Sequence, residues 1–462
     1  MKFFNVLDVP SEGAEDGMYF VKTAGPVIQY IVTDGNVYPL TSQEVFYGVE
    51  RRRDVADPTF KKIGNSEMHE TLPLHNLVRI CKVNKNREVV NYFDQTDITK
   101  NEDGSPSVID GSDGQDVAVH YPNMHVILDG GVADEIWAIG LAPFEYKGIK
   151  SMHIKSFVES ADYVTRDKTT GETRCIQSDD ANFAGTGSGA TDGGVGYPLT
   201  ATSRYNYEVY AENKGEKWNN WLYVDYLVSQ ALMYIEYGTR YLRSAAIFGE
   251  IGRGWTFGQW LAYNSQRPVI KILEAHEGIS GTLEVKAKGH LTGIYERTFD
   301  FEMDGTPTSV TSTFGVYRGK ILWGHLYKHI SGVEVEVQSD AEGGKSNVYI
   351  QFDPNKIDEN RSDTSFDFME TYQLMGEAPR ASGWARLGIP NSGVPATIGG
   401  AQSTYMTSYW HASNPSTGRD RRCLLFGASL SHSIVGVGSA NSTLAPSNTY
   451  AHIGGGFRGE VQ

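Results

Sequence analysis

Three histidines, His411, His432 and His452, and a single cysteine, Cys423, are the residues near the C-terminus whose types could do chemistry. Imidazoles of this kind serve as metal ligands or general bases. Here they are spread through a glycine-rich stretch in which Asp420 and Glu460 are the nearby carboxylates. A metal centre or an acid–base pair needs acidic partners at closer spacing, so the histidines read as contact residues and no metal or cofactor is expected. Cys423 has no second thiol beside it for redox chemistry, and a polysaccharide-cleaving site would need paired carboxylates in a cleft. The expected reading is a binding protein and not an enzyme, with a polysaccharide depolymerase and a purely structural particle component as the alternatives.

The surrounding stretch, Leu424 to Arg458, alternates Gly427, Gly436, Gly438, Ala440, Ala445, Gly454 and Gly456 with His, Ser, Asn, Thr, Tyr, Val and Leu. It holds too much glycine for a helix and too short an apolar run for an ordinary core strand. It is expected to form a turn-rich platform that presents varied side chains to solvent, as binding loops do. A glycine-rich loop without a partner is the other reading.

Calcium-dependent sugar binding needs acidic and amide ligands close in sequence, and this region does not offer them. The acidic stretch Asp94 to Asp116 fails the spacing of a calcium loop and is expected to form Asp-Gly turns between strands.

The elements that must position these residues are mostly strands. The chain has 462 residues, too many for one ordinary core. Its 51 glycines fit a turn-rich, strand-rich chain, and its 26 tyrosines and 8 tryptophans supply cores and contact surfaces. The net charge of −15 argues against a nucleic-acid partner. Arg51-Arg52-Arg53 is expected to be a solvated strand end. Three scattered cysteines, Cys81, Cys175 and Cys423, imply no disulfide framework. No signal segment or membrane span is expected, because the longest apolar region, Trp221 to Tyr237, carries Asp225, Gln230 and Glu236.

Strands are predicted at Met18–Lys22, Val27–Val32, Val37–Pro39, Val78–Val83, Val89–Phe93, Asp116–Tyr121 and His125–Leu128. A second group is predicted at Pro268–Leu273, Gly281–Val285, Val333–Val337 and Asn347–Phe352. Apolar steps of three and four predict one long helix over about 218–247, interrupted near Gly238, with a shorter one around Phe257–Ala262. The expected organisation is a β module at 1–41, a β-rich spacer at 42–177, a Gly/Ser-rich linker at 178–200 and an α+β domain at 201–462.

Several segments, in order, resemble the variable proteins of diversity-generating retroelements and related phage tail-fibre adhesins. Gly17-Met-Tyr-Phe-Val-Lys22 and Asp34-Gly-Asn-Val-Tyr-Pro-Leu40 resemble the opening module of phage fibres. Tyr47-Gly-Val-Glu50, Lys62-Ile-Gly-Asn65, His69-Glu-Thr-Leu-Pro73, Asn91-Tyr-Phe-Asp94, Glu102-Asp-Gly-Ser-Pro106 and Asp110-Gly-Ser-Asp-Gly114 resemble their linker domain. Gln230 to Thr239, Tyr317 to Gly332 with Trp323-Gly324, and Arg422 to Arg458 resemble a lectin-like domain. Ala428, Tyr327 and His329 depart from the common pattern.

The resemblance implies a C-type-lectin fold of the formylglycine-generating-enzyme kind at the C-terminus. It also implies a receptor-binding protein on a tail or head fibre, made in the host cytoplasm and attached to other virion proteins through the N-terminal module. A homotrimer and a host-surface glycan or protein as ligand follow from it too. The contact residues it implies are Tyr405, Tyr409, Trp410, His411, Ser431, His432, Ser433, Val435, Ser442, Leu444, Asn448, Tyr450 and His452. Among these, Trp410 is expected as a fixed aromatic contact or a core residue, because adenine-directed codon change does not readily yield Trp.

Overall fold

A computed structural model describes residues 3–6, 14–15, 17–21, 28–33, 36–39, 45–183, 185, 194–242, 270–279, 291–303, 305–323, 326–358, 360–427, 438–450 and 452–461. The chain is β-rich, with several separate sheets. At the N-terminus four strands, Phe3–Val6, Gly17–Val21, Ile28–Thr33 and Asn36–Pro39, pair in sequence order. The first two are parallel and the rest antiparallel.

A five-stranded antiparallel sheet runs in the order Met152–Ile154, Met124–Gly130, Asp134–Gly140, Phe46–Arg52 and Lys61–Gly64. A seven-stranded sheet follows the order Trp218–Asn219, Arg458–Glu460, Phe157–Ser160, Asp116–Tyr121, Arg79–Val83, Val89–Asp94 and Asp97–Asn101. The C-terminal strand Arg458–Glu460 is therefore inserted between Trp218–Asn219 and Phe157–Ser160. Segments 42–177 and 201–462 share this sheet and one continuous core that runs from Tyr47 to Phe457.

The helix Tyr223–Tyr237 lies in the middle of that core. It begins later than the expected 218 and stops at Gly238, where an interruption was expected, and 243–247 lie outside the described residues. Trp218–Asn219 is drawn into the sheet, and Gly238, in the left-handed region at φ 69°, ends the helix with its N–H on the Tyr234 carbonyl. Every residue from Tyr223 to Glu236 is buried, as befits a helix apolar nearly all round. It packs on Phe46–Arg52, Met124–Gly130 and Asp134–Gly140 on one side and on Tyr327–Gln338 on the other. The helix expected around Phe257–Ala262, the strand expected at Gly281–Val285 and Gly324 of the Trp-Gly motif lie outside the described residues.

Most predicted strands form, but Ile270–Leu273 does not pair into a sheet. Leu273 takes a left-handed φ of 68° and leads into the short helix Glu274–Glu277. Ile270, Ile272 and Leu273 are fully buried, and a short buried apolar run has the same appearance in either geometry. The helices Ser66–Thr71, Pro73–Leu77 and Arg204–Glu212 and the long hairpin Gly293–Met303/Thr306–Tyr317 were not expected. The acidic stretch does form turns, with Gly104, Gly111 and Gly114 at φ 83°, 77° and 75°.

The arginine run is a correction. Only Arg52 is exposed, whereas Arg51 and Arg53 are buried. Arg51 on the strand and Arg53 in the turn just after it both point inward, where Glu135 and Asp129 pair with them.

Candidate functional site

An eight-stranded sheet carries the C-terminal residues. Its path is Gln373–Glu377, Ser346–Ile350, Tyr327–Gln338, Arg419–Phe426, Ala440–Asn441, Tyr409–His411 and Gly383–Trp384, and Ile453–Gly454 pairs with Tyr327–Gln338. On Tyr409–His411 the pleat sends Tyr409 and His411 to the outer face and Trp410 inward. Trp384 on the neighbouring strand meets Tyr409 edge to face, with ring centroids 5.4 Å apart, and Tyr409 lies 4.7 Å from His411. His411 is in register with Asn441, whose side-chain oxygen accepts from the Thr443 N–H and hydroxyl. Tyr327 lies 5.9 Å from His452, and His452 lies 5.4 Å from Tyr450, which is 40% exposed.

The partly exposed rings and amides of this sheet, its aromatic ribbon, are Trp384, Tyr409, His411 and Asn441 together with Tyr450 and His452, and Tyr327 is the buried ring against His452. Such groups offer flat apolar faces together with donors and acceptors. Burial lowers the pKa of His411, so its imidazole is neutral at neutral pH.

Tyr405 stands beside the ribbon with the Arg386 guanidinium over its ring at 5.3 Å. Tyr405 and Thr407 are held at φ 55° and 51°, a region that non-glycine residues avoid unless the surroundings impose it. The imposing contacts come from the loop after Phe46–Arg52 and from the chain just past the central helix. The Tyr405 N–H donates to Ala56 O at 2.8 Å, the Thr407 hydroxyl donates to Arg240 O at 2.8 Å, and Arg240 Nη1 donates to Met406 O at 3.1 Å.

Arg240 is anchored in turn by Glu135, at 2.5 Å, which also accepts from Arg51 at 2.8 Å and from Trp137 Nε1 at 2.7 Å. Burial would raise the Glu135 pKa, but Arg240 and Arg51 outweigh it and hold the carboxyl at about 2. Next to this, Asp129 pairs with Arg53 at 2.7 Å and accepts from the Gly393 N–H at 2.8 Å. The loop that carries Tyr405 is thus fastened at both ends to buried carboxylates.

The other implied residues sort by burial. Trp410 is fully buried with its indole N–H on Pro379 O at 2.8 Å, which makes it a core residue and removes it from the contact set. Ser442 is a correction, because it is 2% exposed and its hydroxyl donates to His411 O at 2.8 Å. Leu444 is half-buried against the core, and its carbonyl accepts from the Cys423 N–H at 3.0 Å. Asn448 is half-buried and closes its own turn by accepting from the Ala445 N–H at 2.8 Å. Ser431, His432, Ser433 and Val435 lie outside the described residues. The Cys423 thiol is buried, pushed up to about 12 by burial, and donates to Leu444 O at 3.4 Å.

The platform expectation needs a second correction. Leu424–Phe426 and Ile453–Arg458 are buried. A Cβ on Gly454 would meet the Tyr163 ring at 2.5 Å, one on Gly455 would meet Tyr207 at 2.5 Å, and one on Gly456 would enter the Trp221 ring. These glycines admit three buried aromatics and present nothing to solvent.

Sequence reasoning missed Trp384, Arg386, Asn441 and the Glu135–Arg240 anchor. A lone Trp in Gly383-Trp-Ala385 was an available signal for the first. Among the described residues no helix is long and apolar enough to cross a membrane. No protein-family model matches the chain, and no curated protein matches it.

Proposed function

We propose that the chain is a phage receptor-binding protein whose C-terminal part is a C-type-lectin-like domain that holds a host-surface glycan or protein on the aromatic ribbon. The reading rests on the sequence resemblance, and one observation carries it further. Tyr409 with His411, and Tyr450 with His452, about forty residues apart in sequence, form two ring pairs carried by one eight-stranded sheet. Ligand contact there is by ring stacking and by hydrogen bonds from Tyr, His and Asn, with no chemical step.

A set of half-buried rings binds weakly as a single copy. Several copies on one virion, assembled as homotrimers through the N-terminal sheet, raise the strength by multivalency. Other virion proteins are the partners of that N-terminal sheet in this reading.

The test is binding of the labelled full chain to a panel of bacterial isolates and their extracted surface polysaccharides. The wild-type chain binds a subset of isolates, and Tyr409→Ala/Tyr450→Ala abolishes it. Equal binding by both proteins overturns the site. A near-repeat of the DNA encoding 405–458, differing at adenines and lying beside a reverse-transcriptase gene, marks the surface as diversified. Its absence leaves a fixed adhesin.

A further inference from the structure

In the five-stranded sheet, far in sequence from the C-terminal residues, the register sets His125 of Met124–Gly130 directly opposite His153 of the edge strand Met152–Ile154. The two imidazoles stack with centroids 4.8 Å apart and planes 18° from parallel. His125 is half-buried and His153 is exposed, so the pair is open to solvent. The same row continues inward through Gly140 to Phe46. Gly140 has no side chain, and the Phe144 ring, stacked on Phe46 at 4.5 Å, lies where one would be. The row is thus apolar on its inner side and ends in two imidazoles at the sheet edge. Lys155, two residues along and on the face of His153, is drawn to Glu460 at 3.1 Å.

Opposed residues on antiparallel strands hold their Cβ atoms about 4.5–5.5 Å apart. That span lets one nitrogen of each ring reach a single ion at about 2.0–2.1 Å after a small rotation of the side-chain torsions. The sheet fixes both backbones, so binding has only two side chains to order. Among the described residues no group of three or more His, Cys, Asp or Glu is placed to hold a metal ion, so water fills the remaining coordination positions. Imidazole suits the divalent transition ions, whereas Ca²⁺ and Mg²⁺ take oxygen ligands. The net charge of −15 favours the approach of any cation.

We propose that His125 and His153 form a two-imidazole chelate for a divalent transition ion of the Cu²⁺, Ni²⁺ and Zn²⁺ class. The bound ion clips the edge strand Met152–Ile154 to Met124–Gly130. The chelate shares no residue with the aromatic ribbon and does not depend on the adhesin reading.

Equilibrium dialysis of the full chain against micromolar Cu²⁺, with electron-spin-echo modulation of the bound ion, tests this. One Cu²⁺ carrying two imidazole nitrogens is expected, and excess Ca²⁺ should not displace it. His125→Ala and His153→Ala should each weaken binding by about tenfold or more, no less than the loss of a group that merely orients a metal ligand. The double variant should add little to either single one, because a chelate needs both rings. Zn²⁺ should slow backbone hydrogen exchange at His153 and Ile154 in the wild-type chain and leave it unchanged at Ile154 in His153→Ala.

Failure to bind Cu²⁺ overturns the proposal, as does a bound ion that carries a single imidazole nitrogen. Binding that survives His153→Ala, or that excess Ca²⁺ removes, also overturns it.

Discussion

The glycine-rich C-terminal stretch is used in two opposite ways. Between Ala440 and Tyr450 the chain enters the eight-stranded sheet as Ala440–Asn441, between Arg419–Phe426 and Tyr409–His411, and leaves Asn441 half-buried and Tyr450 exposed. From Ile453 to Glu460, where the chain carries four glycines that 440–450 lacks, it dives into the core, and Gly454, Gly455 and Gly456 lie against Tyr163, Tyr207 and Trp221. The glycines follow what lies opposite: large aromatic rings face 454–456, whereas Asn441 is half-buried and Tyr450 is open to solvent.

That difference can be broken first at the anchor. Arg240→Met leaves Glu135 buried beside Arg51 alone and should cost about 4 kcal/mol, the usual penalty for removing one partner of a buried pair, in a urea titration. It should also loosen the Tyr405 loop, which backbone hydrogen exchange at Tyr405 and Thr407 would report. Gly456→Ala drives a methyl group into Trp221 and should cost about 3 kcal/mol by overpacking.

Acid should act on the anchor and not on the glycine packing. Glu135 titrates at about 2 in the folded chain against an ordinary 4.5, so its contribution is complete above pH 4.5. It is withdrawn as the pH falls toward 2, a loss on the order of 3 kcal/mol. Denaturant midpoints at descending pH should show this loss in the wild-type chain and a much smaller one in Glu135→Gln.

Gly438→Ala, at a buried position, meets chiefly the Ser408 hydroxyl, which can turn away from Met406 O, and should cost about 1 kcal/mol. Tyr450→Ala, on the exposed ribbon, should change stability by no more than about 0.5 kcal/mol while reducing ligand binding.

Part of this was legible in the residues. Alternating runs such as Asp116–Tyr121 and Val333–Val337 named their own strands, because one period decides a strand that buries one face or both. The apolar steps of 221–235 named the central helix and its break at Gly238 but overran its start, since the pairing of Trp218–Asn219 with Arg458–Glu460 is a contact across more than two hundred residues. Arg51 and Arg53 were misread for the same reason. A charge run looks solvated until Glu135 and Asp129, some eighty residues away, are seen to pair with it.

In the candidate site, Tyr409, His411, Tyr450 and His452 were named in advance. Trp384 and Asn441 were not, because sheet registry, and not local pattern, brings them alongside.

The most direct test compares the wild-type chain with Tyr409→Ala/His411→Ala/Tyr450→Ala for binding to bacterial cells that the wild-type chain coats, with thermal midpoints measured in parallel. The ribbon account predicts that coating is lost while the midpoint moves by only a few degrees. Undiminished coating by the triple variant would contradict it.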